Sequence, residues 1–150
     1  MIGSNAAGNV GGASGLMPEQ ELLFDSTALV DLYRGRAALR PYLDALIARD
    51  MTGYVSVITE AELWHGLHVG EIEHHEALLA LFTRLSLDSA AARQAGAWMQ
   101  RYGPRGLGWM DALIVATAHQ VNLSVFTRDL RLFRCLESEA KFQPYVLTQA

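Results

Sequence analysis

At 150 residues and 51% hydrophobic content, the chain has the length of one domain and enough apolar material for one core, which excludes two independent folding units. A net charge of -4 and a pI near 5.7 exclude an overall basic field, so any nucleic acid must be gripped by local arginines or through a metal. The single cysteine, Cys135, excludes an intramolecular disulfide and a multi-cysteine zinc knuckle, which makes a reducing, cytoplasmic location the default.

Met1 to Gln20 is rich in Gly, Ala, Ser and Asn and lacks the positive start and apolar centre of a signal peptide. It reads as a disordered lead-in, from a vector scar or an upstream start codon with Met17 as the natural beginning, ahead of a folded unit over 21–150. Glu21 to Phe24 is an apolar run ended by the polar triplet Asp25-Ser26-Thr27, and predicts the first strand. Ala28 to Tyr33 follows as a short helix stopped by Gly35. Pro41 suits the first turn of a second helix, which Tyr42, Leu43, Leu46 and Ile47 carry to about Asp50. Tyr54 to Ile58 is β-branched and aromatic, the second strand, with Thr59 as N-cap of a helix through Leu67 that Gly70 closes. Glu71 to Arg84 has Ala77, Leu78, Leu81 and Phe82 at helical spacing. A brief strand, Leu85 to Leu87, precedes Asp88, the expected cap of an amphipathic helix over Ser89 to Tyr102. Gly103 to Gly108 is a flexible loop by composition. Ala112 to Ala118 is apolar nearly all round, as a helix buried against a sheet would be. Ser124 to Phe126 and Tyr145 to Leu147 complete the strands. No stretch approaches the roughly 18 apolar residues of a membrane span. The alternation predicts an α/β fold with a parallel sheet and right-handed crossovers.

Four acids stand at or just beyond the ends of apolar runs. Asp25 follows the first strand, Glu62 lies about one turn into the helix after the second, Asp111 starts the buried helix, and Asp129 follows Ser124 to Phe126. Loops leaving the carboxyl edge of a parallel sheet are where such folds assemble sites. Carboxylates gathered there repel one another unless a cation lies among them. Oxygen-only ligation points to Mg²⁺ or Mn²⁺, and the chemistry suited to it is phosphodiester hydrolysis. Thr27 and Thr127 are candidates to orient a water or a carboxylate, and Arg128 is a candidate phosphate contact.

The blocks Phe24-Asp25-Ser26-Thr27, Ser56-Val57-Ile58-Thr59-Glu60-Ala61-Glu62-Leu63, Asp111-Ala112-Leu113-Ile114-Val115-Ala116-Thr117-Ala118 and Phe126-Thr127-Arg128-Asp129 resemble the PIN-domain ribonucleases. The likeness is strongest to the VapC-like toxins of bacterial toxin-antitoxin pairs and runs from about Leu22 to Leu147. It implies a PIN-like three-layer α/β/α sandwich with a central parallel sheet. It makes Asp25, Glu62, Asp111 and Asp129 the catalytic, metal-binding acids, with Thr27 the hydroxyl beside the first. Glu60 is a decoy on this alignment, and the family often carries Asn where Asp129 stands. The resemblance further implies an RNA substrate, a homodimer, and an antitoxin whose C-terminal segment blocks the site, often through an inserted basic side chain.

Other constellations carry less. Glu62-x-x-His65 and Glu71-x-x-His74 have the spacing used by di-iron helical bundles, but those need two long helices here and two more glutamates elsewhere. Gly70 falls between the motifs, so His65, His68, His74 and His75 read as solvated or locally hydrogen-bonded. A phosphoaspartyl enzyme would need a lysine near a strand exit, and Lys141 is the only lysine. Gly106-x-Gly108 lacks the context of a nucleotide fingerprint. Two further readings of the same fold are a PIN nuclease of RNA maturation and a non-cleaving module that binds RNA or an antitoxin.

Overall fold

Leu22, Leu23 and Phe24 are fully buried because they form β1 (Glu21–Phe24), the middle strand of a five-stranded parallel sheet. The computed structural model describes residues 20–147; Met1 to Glu19 of the expected lead-in and the last three residues of the expected 21–150 unit lie outside them. After β1 come α1 (Ser26–Tyr33), α2 (Arg40–Ala48), β2 (Thr52–Ser56), α3 (Val57–His65), α4 (Ile72–Leu79) and β3 (Phe82–Leu85). The second half runs α5 (Ser89–Tyr102), α6 (Trp109–Gln120), β4 (Ser124–Thr127), α7 (Leu130–Leu136) and β5 (Phe142–Pro144).

The strand order is β3-β2-β1-β4-β5. The chain winds outward from β1 on one side, then returns to add β4 and β5 on the other. Between β1 and β4 the winding reverses, and the crevice beyond the carboxyl ends at such a point is where open α/β sheets bind ligands. Phe24 is in register with Phe126 of β4, and Leu23 with both Tyr54 of β2 and Val125 of β4.

Strand alternation makes two cores. Leu23 and Val125 face Trp98, Ile114 and Leu132 on the layer of α5, α6 and α7. Leu22, Phe24 and Phe126 face Leu29, Leu32, Leu46 and Leu79 on the layer of α1, α2 and α4. The three-layer α/β/α sandwich follows, and each large apolar side chain so buried contributes roughly 1.5–3 kcal/mol. Phe24 meets the edges of Phe82 and Phe126 with ring centroids 5.0 Å away in each case. Gly53 permits this packing, since a Cβ there would come within 2.8 Å of the Phe82 ring and 2.7 Å of Leu46.

Several boundaries differ from the sequence reading. The second strand ends at Ser56, whose hydroxyl caps α3 by accepting from the Ile58 N–H at 3.0 Å. Val57 and Ile58 are therefore helical, Thr59 is interior, and the helix closes at Gly66 rather than Gly70. The apolar run Leu78 to Phe82 satisfies helix and strand periods alike, and the chain divides it: α4 stops at Leu79 and β3 starts at Phe82, three residues before the expected strand. Gly103 to Gly108 contains a 3₁₀ turn, Gly103–Arg105, ended by Gly106 at φ 103°. The last strand precedes Tyr145 instead of containing it. Helix α7, not foreseen at all, is only seven residues long and takes Asp129 as its cap. No helix among the described residues is long and apolar enough to cross a membrane.

Candidate active site

Asp25 is the residue at which β1 becomes α1. Its backbone N–H donates to the Phe126 carbonyl at 3.1 Å, which holds the exits of β1 and β4 together. Its Oδ1 caps α1, accepting from the Ala28 N–H at 3.0 Å and from the Thr27 hydroxyl at 2.7 Å. The side chain is 3% exposed. Burial raises its pKa above the ordinary value, against the hydrogen bonds from Thr127, Thr27 and Ala28, and the charge of Asp129 pushes the same way as burial.

Asp129 does for α7 what Asp25 does for α1: its Oδ1 accepts from the N–H groups of Arg131 and Leu132, at 3.0 and 3.1 Å. Asp111 lies in the first turn of α6, near the positive end of that helix. Glu62 is in the second turn of α3, one step deeper than expected, and accepts from the Ser26 hydroxyl at 2.5 Å. Ser26 also lies 3.2 Å from the Thr59 hydroxyl, so it ties α1 to α3. Its place inside the Asp25-Ser26-Thr27 triplet is the only signal of this role in the sequence.

The four acids share one electrostatic neighbourhood. Asp111 is pushed up to about 6, first by burial and then by the charges of Asp129, Asp25 and Glu62, with Arg131 opposing. Among the described residues no three of these side chains form a closed ligand cluster, and Glu62 is turned to Ser26. An oxygen-only set whose members destabilise one another's charge fits a hard divalent cation, which would reverse the sign of that interaction. Asp25, Glu62, Asp111 and Asp129 are the residues that could hold it.

Asp111 offers a measurement on the metal-free protein. With its folded pKa near 6 against an ordinary 3.8, the folded state binds this proton more tightly than the unfolded chain. Stability therefore falls as pH rises from about 4 to 6, and the cost is complete at pH 7. Asp111→Asn is expected to raise the melting temperature in chelator at pH 7 by a few degrees, about 1–2 kcal/mol after solvent screening. It should also flatten the pH 4–6 dependence; an unchanged melting curve would count against the repulsive cluster.

The hydroxyls knit the strand exits. Thr127, fully buried, accepts from the Asp129 N–H at 2.9 Å and lies 3.5 Å from the Thr27 hydroxyl. Thr27 in turn accepts from the Arg128 N–H at 3.1 Å. Thr27 thus holds a carboxylate directly, and Thr127 holds the backbone of the turn that carries one. Arg128 is different from its expected role. Its guanidinium points back into the protein and grips Asp31 with Nε at 2.6 Å and Nη2 at 3.2 Å, because Asp31 is fully buried and needs a counter-charge. The Tyr145 hydroxyl donates to the same carboxylate at 2.7 Å.

The cations that do face the acids are others. Arg105, Arg131 and Arg134 line a cleft of about 260 Å³ with Asp111 and Asp129. On the other side of the acids, Ser26 and Glu62 border a second cleft of about 470 Å³ between α1, α3 and α4. Glu60 is engaged elsewhere, 3.4 Å from the Arg84 guanidinium on β3.

The sequence pattern of the PIN domain matches residues 22–135. Ribonuclease VapC10 of Mycobacterium tuberculosis is 33% identical over 118 residues, which are 77% of this chain and 88% of the relative. The FitAcB structure from Neisseria gonorrhoeae is 28% identical with a TM-score of 0.63, covering 82% of this chain and 97% of that one. The DNA-bound VapBC structure from Salmonella typhimurium has a TM-score of 0.71, covering 84% of this chain and 98% of that one. Its identity is 19%, so that likeness is one of fold.

Proposed function

The chain belongs to the PIN-domain family, and from that premise we propose that it is a divalent-metal-dependent endoribonuclease, the toxin of a toxin-antitoxin pair. The observation that carries this reading is the shared electrostatic neighbourhood of four carboxylates beyond the carboxyl ends of β1, β2 and β4, in which the charges of Asp129, Asp25 and Glu62 add to burial in raising Asp111 to about 6. Kinship with a ribonuclease supports RNA as the substrate. Kinship with a chain solved in a toxin-antitoxin complex from Klebsiella pneumoniae, 28% identical to this one, supports an antitoxin as the partner.

In this reading Asp25, Glu62 and Asp111 hold Mg²⁺ or Mn²⁺, with Asp129 assisting. The ion supplies a hard Lewis acid that neutralises charge developing on the phosphate and makes water more acidic. The chain supplies position. Thr27 holds Asp25 by a 2.7 Å hydrogen bond, Ser26 holds Glu62, and the Thr127 hydroxyl fixes the turn that presents Asp129. Arg105, Arg131 and Arg134 give the phosphate backbone its cations, where the whole-protein charge gives none. A cytoplasmic location and a homodimer belong to the same proposal, supported by the family resemblance.

The test is incubation of the antitoxin-free protein with total RNA in Mn²⁺, in Mg²⁺ and in chelator. Cleavage in either metal and none in chelator is expected; cleavage that persists in chelator would sink the metal mechanism. Arg131→Ala is expected to weaken RNA binding about 5- to 10-fold at low salt and to lower the salt slope by about one. Equal affinity in the variant, measured by fluorescence anisotropy in Ca²⁺, would remove Arg131 from the contact.

A further inference from the structure

Beyond Ser26 and Glu62, the lining of the cleft of about 470 Å³ between α1, α3 and α4 takes no part in holding the metal. The cleft opens from Ser26 and Glu62, so whatever fills it lies beside one of the acids proposed to hold the metal. Its volume is within the roughly 300–1,000 Å³ of ordinary small-molecule sites. Its inner wall includes His75 and Glu71, with Tyr33 beside them and Arg34 on the α1 side.

His75 is 3% exposed, yet it is not a passive core residue. Its ring packs against Tyr33 and Trp64, with centroids at 5.1 and 5.6 Å. Its Nδ1 lies 3.0 Å from the Glu71 carbonyl. A carbonyl can only accept, so Nδ1 carries the hydrogen and Nε2 of the neutral ring is an acceptor. No described side-chain nitrogen or oxygen that is shut off from solvent lacks a partner. Nε2 has none among the described residues, so it is not shut off from solvent, and the solvent-filled space that His75 lines is this cleft. The Glu71 carboxylate is anchored by the His68 N–H at 3.1 Å and the Tyr33 hydroxyl at 3.2 Å, one bond to each oxygen. That fixes its orientation and leaves about two lone-pair sites free.

The cleft therefore presents a held carboxylate and an imidazole nitrogen one helical turn apart, all acceptors. Resting on the ribonuclease reading, we propose that this is a base subsite selective for guanine next to the scissile phosphate. Guanine alone among the four bases has two adjacent donors, N1–H and N2–H₂, on its pairing edge. Glu71 accepts from N1–H and one N2–H, and His75 Nε2 accepts from the other. Adenine, cytosine and uracil each set an acceptor against the carboxylate, and a site with buried acceptors rejects a ligand that leaves them unpaired. Tyr33 supplies a face along the base, and Arg34 a cation for the phosphate of the same nucleotide.

The test is to map the ends of RNA fragments made in Mn²⁺ by the wild type and by Glu71→Gln, which keeps one acceptor oxygen. Wild-type cuts are expected to carry guanine at one fixed offset, and the variant to lose at least roughly tenfold of that preference while still cutting. Cuts without base enrichment, or enrichment unchanged in Glu71→Gln, overturn the subsite and leave the nuclease intact. No metal-dependent cuts at all overturn both. In the unmodified protein, guanosine monophosphate should shift the ¹⁵N resonance of His75 Nε2 more than inosine monophosphate, and adenosine monophosphate not at all. If none of the three moves it and a bound antitoxin does, the cleft belongs to the partner protein and the proposal fails.

Discussion

Asp25→Asn is expected to abolish metal-dependent RNA cleavage, by at least ~10³-fold, while the protein stays folded. Asparagine keeps an oxygen to cap α1, where Oδ1 now accepts from the Ala28 N–H and the Thr27 hydroxyl, but it removes the charge that a cation requires. Because the buried carboxylate is destabilised by its surroundings, the metal-free variant should melt no lower than the wild type. Asp25→Ala removes cap and charge together and should cost about 0.5–2 kcal/mol besides. The pair of variants separates chemistry from scaffolding: both inactive, only alanine less stable. Growth arrest on expression that survives in Asp25→Asn would contradict the assignment of the acid.

The largest effect on stability is expected at Asp31. It is fully buried, takes both ends of the Arg128 fork and receives the Tyr145 hydroxyl. Asp31→Ala strands a guanidinium and a phenol that were packed for a carboxylate, and breaking buried pairs costs about 3–5 kcal/mol. Arg128 is 41% exposed and can turn part of its charge to water, so about 3 kcal/mol is the better figure. That is about 6–12 °C in melting temperature for a domain of this size. Tyr145→Phe removes one hydrogen bond and should cost about 1 kcal/mol. A melting temperature for Asp31→Ala within two degrees of the wild type would mean that the triad does not hold the fold. Because Arg128 lies between Thr127 and Asp129, the loss of Asp31 should also loosen the turn that carries the fourth acid.

The sequence was readable where local pattern and global fold agree. β1, α5 with its Asp88 cap, and the positions of Asp25 and Asp129 at strand exits were visible because an apolar run ending in a polar residue has the same meaning locally and in the finished sheet. Asp88 caps α5 as expected, accepting from the Ala91 N–H at 2.8 Å. Asp31 was invisible for the opposite reason. In a helix reading Ala28-Leu29-Val30-Asp31-Leu32-Tyr33, a lone acid looks like a solvent-facing residue, and its partners are 97 and 114 positions away. Arg128 was misread with it, since an arginine beside candidate acids suggests phosphate until its counter-ion is known. Glu71 entered only through its E-x-x-H spacing with His74, and His75 only as a solvated or locally hydrogen-bonded residue, whereas Glu71 and His75 stand i, i+4 to one another and the setting of His75 is made by Tyr33 and Trp64 from other helices. β3 was displaced because Leu78 to Phe82 obeys two periods, and the choice between them is made by Phe24 across the sheet.

Two of the acids are also helix caps, Asp25 for α1 and Asp129 for α7, whereas Glu62 and Asp111 are not. This difference bears on how a population would escape the protein's activity. On the proposed assignment of the four acids, a lineage that silences positions 62 or 111 can accept many replacements and still accumulate an intact, inert chain able to occupy its partner. At 25 and 129 the best-tolerated replacements narrow to asparagine, serine, threonine and glycine, the residues that still serve as N-caps. Selection against the activity should therefore leave a broad spectrum of alleles at two of the acids and a narrow one at the other two, with the rest lost to degradation.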